Sequence, residues 1–244
     1  ERMGGKQGIK DARFVIGQSD FVSGASNRGS FWNPTAQSLC SPSDLYVDRD
    51  GNLFVAAFGN HRILVFLDPI GTDLVADLVI GQNGIFTSRA ANLGGRSASS
   101  LYFPVSVAGD DDGNLYVADG SNNRVLVYYD VLGTDRVADV VIGQRDFVSG
   151  APNAGGGLAY SSGASASSFH DPYRVRLDPS GNLYVADFLN SRGLVFFSPL
   201  TDDLVADLVV GQPDFTTNAE NSTGLHAGSI SYPCSLGVDA YAHL

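Results

Sequence analysis

The sequence predicts an all-β protein made of similar repeated units, and three observations support this. A phrase that begins Gly-Asn-Leu occurs at residues 51–66, 113–128 and 181–196. A proline precedes each copy and a Gly-Gln pair follows it, so one unit recurs every 62 to 68 residues. Within each unit, short apolar runs alternate with Gly, Pro, Asn or Asp, which is typical of β-strands joined by turns. The recurring landmarks are Pro42, Pro104, Pro172, Gly81, Gly143 and Gly211.

The first complete unit spans residues 42–82 and predicts four strands, at 43–48, 52–57, 61–67 and 75–80. The Asp50-Gly51 pair between the first two strands favours a tight hairpin turn, because glycine adopts a positive φ without steric cost. Units 104–144 and 172–212 repeat the pattern. Residues 1–18 and 233–244 match parts of the same unit, with a last strand expected at 14–16 and a first strand at 235–239. We therefore expect a fragment of a longer array.

The strands are apolar on both faces, so each sheet needs cover on both sides. Radial stacking of four-stranded antiparallel sheets provides this cover, because each sheet then packs on the next. A two-sheet sandwich would not explain the repeat. The sequence therefore predicts a single β-propeller domain over residues 1–244, with three complete blades and partial units at both ends.

Composition restricts the partners. The 244 residues include 26 acidic and 15 basic side chains, for a formal charge of −11, and no run of Lys or Arg. Such a field repels phosphate backbones, so we do not expect a nucleic acid partner. No apolar run approaches the roughly 18 residues of a membrane span, and we expect none.

One family resemblance follows from the repeated phrase. With Pro104 at its head, Asn-Leu-Tyr-Val-Ala-Asp at 114–119 and Asn-x-Arg-Val-Leu-Val at 122–127, the second unit resembles the NHL repeat, and the likeness extends over nearly the whole chain. The resemblance implies a β-propeller but no particular activity. Loops that begin Gly-Gln-x-Asp-Phe are similar to those of large, often exported bacterial members of this family. This implies a bacterial protein that is secreted, periplasmic or at the cell surface.

Long Gly/Ser/Asn-rich loops recur at the same point of the unit, at residues 19–41, 83–103, 145–171 and 213–231. Long loops inside compact domains are usually functional or disordered, and we interpret these as one binding face. Phe147 and Phe215 recur at the loop starts and are interpreted as anchors. The aromatic residues expected to contact a partner are Phe31, Trp32, Phe86 and Tyr160.

Acid–base pairs flank the tight turn between the second and third strands. Asp119 with Arg124, and Asp187 with Arg192, are spaced for cross-strand salt bridges. Because the pair recurs, a structural role is favoured over a catalytic one. Ala57 replaces the acid in the first unit, so Arg62 must find another partner or face solvent.

Two groups of side chains are weighed as metal sites. Asp110-Asp111-Asp112 has clustered oxygens suited to calcium but lacks the rest of an EF-hand pattern, and we interpret it as a solvated turn. His61, His170 and His226 are expected on one face and are candidates for zinc, as in the propeller lyase that makes peptide amides, a relative of this family. They share no motif, so no cofactor is expected. Cys40 and Cys234 are expected not to be bonded to each other.

The sequence thus favours a non-enzymatic binding or scaffold propeller that contacts a protein or glycan through its long-loop face. The alternative is a metal-dependent propeller enzyme of the lyase or lactone-hydrolase kind. The expected partner at the open ends is either the remainder of a longer chain or another copy that completes the ring.

Overall fold

The computed structural model describes residues 12–155, 163–222 and 224–239. These residues form three four-stranded antiparallel sheets, each with its strands in sequence order. We call them blades 1, 2 and 3. Blade 1 contains β1 (Pro42–Val47), β2 (Leu53–Ala57), β3 (Arg62–Phe66) and β4 (Leu78–Ile80); blade 2 contains β5 (Pro104–Gly109), β6 (Leu115–Asp119), β7 (Arg124–Tyr128) and β8 (Val140–Ile142); blade 3 contains β9 (Pro172–Leu177), β10 (Leu183–Asp187), β11 (Arg192–Phe196) and β12 (Leu208–Val210).

The blades stack face to face through two apolar clusters. Phe54, Ile63 and Val65 of blade 1 pack with Val117 and Leu126 of blade 2. The opposite face of blade 2 packs in the same way on blade 3. The first strands of the blades, β1, β5 and β9, lie next to one another. The prediction of an all-β protein with β-propeller blades is therefore confirmed.

A short 3-10 turn joins the second and third strands of each blade, at Phe58–Asn60, Gly120–Asn122 and Phe188–Asn190. Two of the long loops run from β4 to β5 and from β8 to β9, and they contact these turns. For example, Arg89 of the second long loop donates a hydrogen bond to the carbonyl of Gly59 at 3.0 Å. The long loops and the 3-10 turns therefore share one surface, which we call the long-loop face.

The glycine of each Gly-Gln pair is required for two reasons. Gly81 has a φ of 93°, in the left-handed region that favours glycine. A Cβ atom there would also lie 2.6 Å from Leu101 Cδ1. The glycine therefore lets the long loop turn sharply while a side chain from its far end packs against the backbone.

Two of the expected strands are absent. The structure forms no strand at residues 14–16 or 235–239. In a complete unit, residues 14–16 would pair with a third strand and residues 235–239 with a second strand, and the described residues contain no such partner strand for either segment. Ile230, Pro233 and residues 235–237 line a cavity of about 330 Å³ beside β10, β11 and Val210. Among the described residues, no helix has the length and apolar character needed to cross a membrane.

Candidate binding face

A fully buried arginine anchors the long loops to blade 2. Arg124 Nη1 donates to the carbonyl of Phe147 at 2.6 Å. Its Nη2 donates to the carbonyls of Ser97 at 3.0 Å and Ser100 at 2.9 Å. One guanidinium therefore holds the end of the loop before the blade and the start of the loop after it. Arg192 does the same in blade 3, where it contacts the carbonyls of Phe215, Ser165 and Ser168.

The carboxylate expected beside each of these arginines is present in blades 2 and 3. Arg124 Nε donates to Asp119 Oδ2 at 2.8 Å, and both side chains are fully buried. Arg192 and Asp187 have the same distance and the same burial. The cross-strand spacing therefore does bring the charges together. Both pairs also participate in the loop anchors described above, and their structural rather than catalytic role stays a prediction.

In blade 1, Arg62 is also fully buried, so it does not face solvent. Its Nη2 donates to the carbonyls of Thr35 at 2.9 Å and Ser38 at 3.0 Å, and its Nη1 donates to the carbonyl of Phe86. Among the described residues, no protein atom accepts a hydrogen bond from its Nε. Burial lowers the pKa of Arg62 to about 10, so it remains charged at neutral pH.

Buried amides add a second set of anchors. Asn60 and Asn27 exchange side-chain hydrogen bonds of 2.8 and 3.0 Å between the 3-10 turn of blade 1 and the first long loop. Gln82 Nε2 donates to the carbonyls of His61 and Ala90, at 2.9 Å each. Asparagine pairs and glutamines at the same register recur in the other blades. The described parts of the loops are thus tied to the blades by directional contacts.

Trp32 is the most exposed aromatic side chain among the described residues of this face, and Phe31 lies beside it. Trp32 is 74% exposed and Phe31 is 44% exposed. The rings meet edge to face with centroids 4.9 Å apart. Arg89 Cζ lies 4.2 Å from the Phe31 ring centroid and 4.9 Å from that of Trp32. Arg89 also donates to the Phe31 carbonyl at 2.6 Å, so the guanidinium joins two successive long loops beneath an exposed aromatic surface.

The other aromatic candidates do not belong to this surface. Phe86 is partly buried and packs against the apolar cluster of blade 1, and its carbonyl accepts a hydrogen bond from Arg62 Nη1. It is equivalent to Phe147 and Phe215, whose side chains also pack against the blade clusters. Phe86 is therefore a loop anchor rather than an exposed contact residue. Tyr160 lies outside the described residues.

The histidine candidates are not gathered into a ligand set. His61 Nδ1 accepts the backbone N–H of Phe103 at 3.1 Å, and burial, with a smaller effect of Arg89, lowers its pKa to about 4. Burial also lowers the pKa of His170. Exposed His226 accepts the N–H of Gly228 at 3.0 Å. In the described part of the chain, no three His, Cys, Asp or Glu residues lie close enough to hold a metal ion.

The acidic run lies in the turn between β5 and β6. Asp110 Oδ1 accepts the backbone N–H groups of Asp112 at 3.1 Å and Asn114 at 2.9 Å, which closes the turn. Asp111 forms a solvent-exposed salt bridge of 2.6 Å with Arg49 of blade 1.

Both cysteines are free, with Cys40 buried and Cys234 exposed.

A polar cluster on the first strands was missed by the sequence reasoning. Asp44 on β1 contacts Arg174 Nη1 at 2.8 Å and Arg176 Nη1 at 3.0 Å, both on β9. Ser106 on β5 donates to Asp44 Oδ2 at 2.5 Å. Burial raises the pKa of Asp44, but hydrogen bonds from Arg176 and Ser106 outweigh it and the net pKa is lowered. Asp44, Ser106 and Arg174 occupy the same register, and this polar position amid apolar strands was the available signal.

Comparison with known proteins finds a repeat family that matches in two of the three blades. The NHL repeat family model matches residues 39–66 and 101–128. No curated protein matches the sequence at a significant level. Three solved structures illustrate the structural likeness: hydrazine synthase of Kuenenia stuttgartiensis (13% identity, TM-score 0.45), virginiamycin B lyase of Staphylococcus aureus (10%, 0.38) and a Bacteroides uniformis protein assigned as a 6-phosphogluconolactonase (13%, 0.45).

These alignments cover 73%, 73% and 82% of this chain, and 38%, 44% and 45% of the respective solved chains. The chain therefore spans less than half the length of the structures it resembles. All three TM-scores are below 0.5, so no functional conclusion comes from these likenesses.

Proposed function

The chain carries NHL repeats, and on that premise we propose that it is a non-enzymatic binding or scaffold protein whose long-loop face contacts a protein or glycan. The observation that supports this most directly is the exposed pair Phe31 and Trp32 above Arg89. Tryptophan and arginine are among the residues that contribute most to binding energy at protein interfaces. An exposed indole ring also offers a flat apolar surface for a sugar.

The loop anchors support the same proposal. Binding costs free energy when loops and side chains become ordered, and a surface that is already fixed avoids part of that cost. Asn27 Nδ2 donates to the Phe31 carbonyl at 3.0 Å, from below the aromatic pair. Arg89 reaches the same carbonyl from the next loop at 2.6 Å. The contact surface is thus held by two loops at once.

The proposal includes a location outside the cytoplasm, at the cell surface or in the periplasm of a bacterium. The similarity of the long loops to those of exported NHL-repeat proteins supports it. Fractionation of the native host with an antibody against this chain tests it, because recovery in the cytoplasm alone would contradict export.

The proposal also includes a partner for the open face of blade 1. Leu45 on β1 is 60% exposed, whereas Val107 and Val175 at the same register of β5 and β9 are 1% and 0% exposed. An exposed apolar position that is buried in both other blades is suited to cover by another blade. The remainder of a longer chain and a second copy would both supply one.

The binding experiment uses the only tryptophan of the sequence. Because Trp32 alone reports tryptophan emission, a blue shift on addition of a purified candidate protein or glycan measures burial of this side chain. The Trp32→Ala variant should weaken binding about thirty-fold, which corresponds to about 2 kcal/mol. Val22→Ala is the matched control, because Val22 is 94% exposed on the same loop. Equal affinities of both variants and the wild type would contradict the proposal.

The enzymatic alternative gives a different outcome. Zinc or calcium bound at a fixed stoichiometry, together with a lyase or lactone-hydrolase activity that His61→Ala removes, would favour the metal-dependent enzyme. Binding through Trp32 without such an activity favours the scaffold.

A further inference from the structure

We infer that blade 1 binds a small monovalent anion, such as chloride, beside Ala57, at the position that the Asp119 and Asp187 carboxylates take in blades 2 and 3. Register defines this position, because β-pairing places Ala57, Asp119 and Asp187 opposite Pro42, Pro104 and Pro172, respectively.

Three N–H donors converge on the carboxylate in each of the other blades. In blade 2, Asp119 accepts Arg124 Nε at 2.8 Å, Asn122 Nδ2 at 2.7 Å and the backbone N–H of Tyr102 at 2.7 Å. In blade 3, Asp187 accepts the corresponding groups of Arg192, Asn190 and His170 at 2.8, 2.7 and 2.7 Å. The fold therefore builds the same anion-binding arrangement in both blades.

Blade 1 keeps the residues that supply these donors and lacks the acid. Arg62 and Asn60 occupy the positions of Arg124 and Asn122, and both are fully buried. Cys40 occupies the position of Tyr102 and is also buried. The methyl group of Ala57 accepts no hydrogen bond, and Arg62 Nε has no acceptor among the described residues. By register, the residues that carry these donors flank a side chain that cannot accept a hydrogen bond.

The charge balance points the same way. A buried guanidinium without a counterion is destabilising, because the protein interior solvates it less well than water. The carbonyls of Thr35, Ser38 and Phe86 supply dipoles to Arg62 but no negative charge. With its pKa near 10, Arg62 is charged at neutral pH. A small anion supplies both the missing charge and the missing acceptor, and the burial of the site excludes large ones.

The test compares thermal unfolding of the wild type and Ala57→Asp in sodium chloride and in sodium gluconate at the same ionic strength. Linkage predicts that chloride at tenfold its Kd raises the wild-type Tm by about 4 °C. The Ala57→Asp variant should be as stable in gluconate as in chloride, because its own carboxylate fills the site. Equal chloride dependence of both proteins would overturn the inference, and would indicate water or no ligand beside Ala57.

Two further measurements do not depend on that variant. Crystals of the wild type soaked in bromide should show an anomalous peak within about 3.5 Å of Arg62 Nε, and its absence at saturating bromide would overturn the inference. Asp187→Ala converts blade 3 to the arrangement of blade 1, so its Tm should show the chloride increment of blade 1 and a second one. Failure to gain the second increment would show that these three donors do not suffice.

Discussion

Replacing Asp187 with alanine should strongly destabilise the protein. Asp187 is fully buried, and its carboxylate accepts three hydrogen bonds of 2.7 to 2.8 Å, one of them from fully buried Arg192. For a partly buried pair, a loss of about 1–3 kcal/mol is usual. Complete burial raises the expected loss, because the variant leaves a guanidinium in the interior without its counterion.

The magnitude follows from what remains after the substitution. Breaking a buried ion pair by removing one partner typically costs about 3–5 kcal/mol. Arg192 Nη2 would keep the carbonyls of Ser165 at 3.0 Å and Ser168 at 2.9 Å, and its Nη1 would keep the carbonyl of Phe215. Blade 1 keeps Arg62 fully buried with its Nη atoms bound by three carbonyls and with no carboxylate beside it, so we expect the lower end, about 3 kcal/mol. For a chain of this size, that corresponds to a Tm lower by about 6–12 °C.

Thermal and urea unfolding in chloride-free gluconate buffer measures the loss. The matched control is Asp111→Ala, which breaks an ion pair of 2.6 Å whose side chains are 74% and 78% exposed, and which should cost less than about 1 kcal/mol. Removing Arg192 as well, in Asp187→Ala/Arg192→Leu, should cost less than the sum of the two single substitutions. If Asp187→Ala were no more destabilising than Asp111→Ala, the structural assignment of the pair would be wrong.

Two other predictions concern titration and association. Burial, with a smaller effect of Arg89, lowers the pKa of His61 from about 6.5 to about 4 in the folded chain. The unfolded chain therefore binds more protons between these values, and the free energy of unfolding should fall by up to about 3 kcal/mol as the pH falls from 6.5 to 4. Urea midpoints over this range should depend less on pH in His61→Gln, and parallel curves would contradict the assignment. The isolated chain should not behave as a finished monomeric ring, and light scattering should show association that Leu45→Asp reduces; a monodisperse wild-type monomer that resists protease would refute this.

The sequence contained enough information to predict the blades. Strand positions could be predicted because apolar runs are bounded by turn residues, and the period of 62 to 68 residues excluded a sandwich. The prediction of strands at 14–16 and 235–239 was wrong, because strand formation depends on pairing with distant residues. A segment with strand composition still needs a neighbouring strand of its own unit to pair with, and the described residues contain no such strand for either segment. Similarity to the repeat therefore predicted strand composition in both segments, but it did not show whether a partner strand is present.

The binding face was harder to predict, because exposure depends on contacts between distant residues. Phe31 and Phe86 are both loop aromatics, yet one is 44% exposed and the other packs on the blade cluster. The sequence did contain a signal for Phe86, since it lies five residues after the Gly81 landmark, whereas Phe147 and Phe215 lie four residues after theirs. The carbonyls of all three phenylalanines accept a hydrogen bond from a buried arginine. Phe86 is therefore equivalent to Phe147 and Phe215 although its spacing from the glycine is one residue longer.

The alanine at position 57 predicted one part of the surroundings of Arg62 and left another part undetermined. The missing acid was visible in the sequence, and it left two alternatives for Arg62, another partner or solvent. Neither alternative describes the outcome fully, because the guanidinium is buried, three carbonyls hold its Nη atoms, and the Nε beside Ala57 has no acceptor among the described residues. The repeat allows this difference between blades to be interpreted, since blades 2 and 3 have a negatively charged carboxylate at the position of Ala57. A single blade would present only a buried arginine, whereas three blades identify the ligand it is suited to bind.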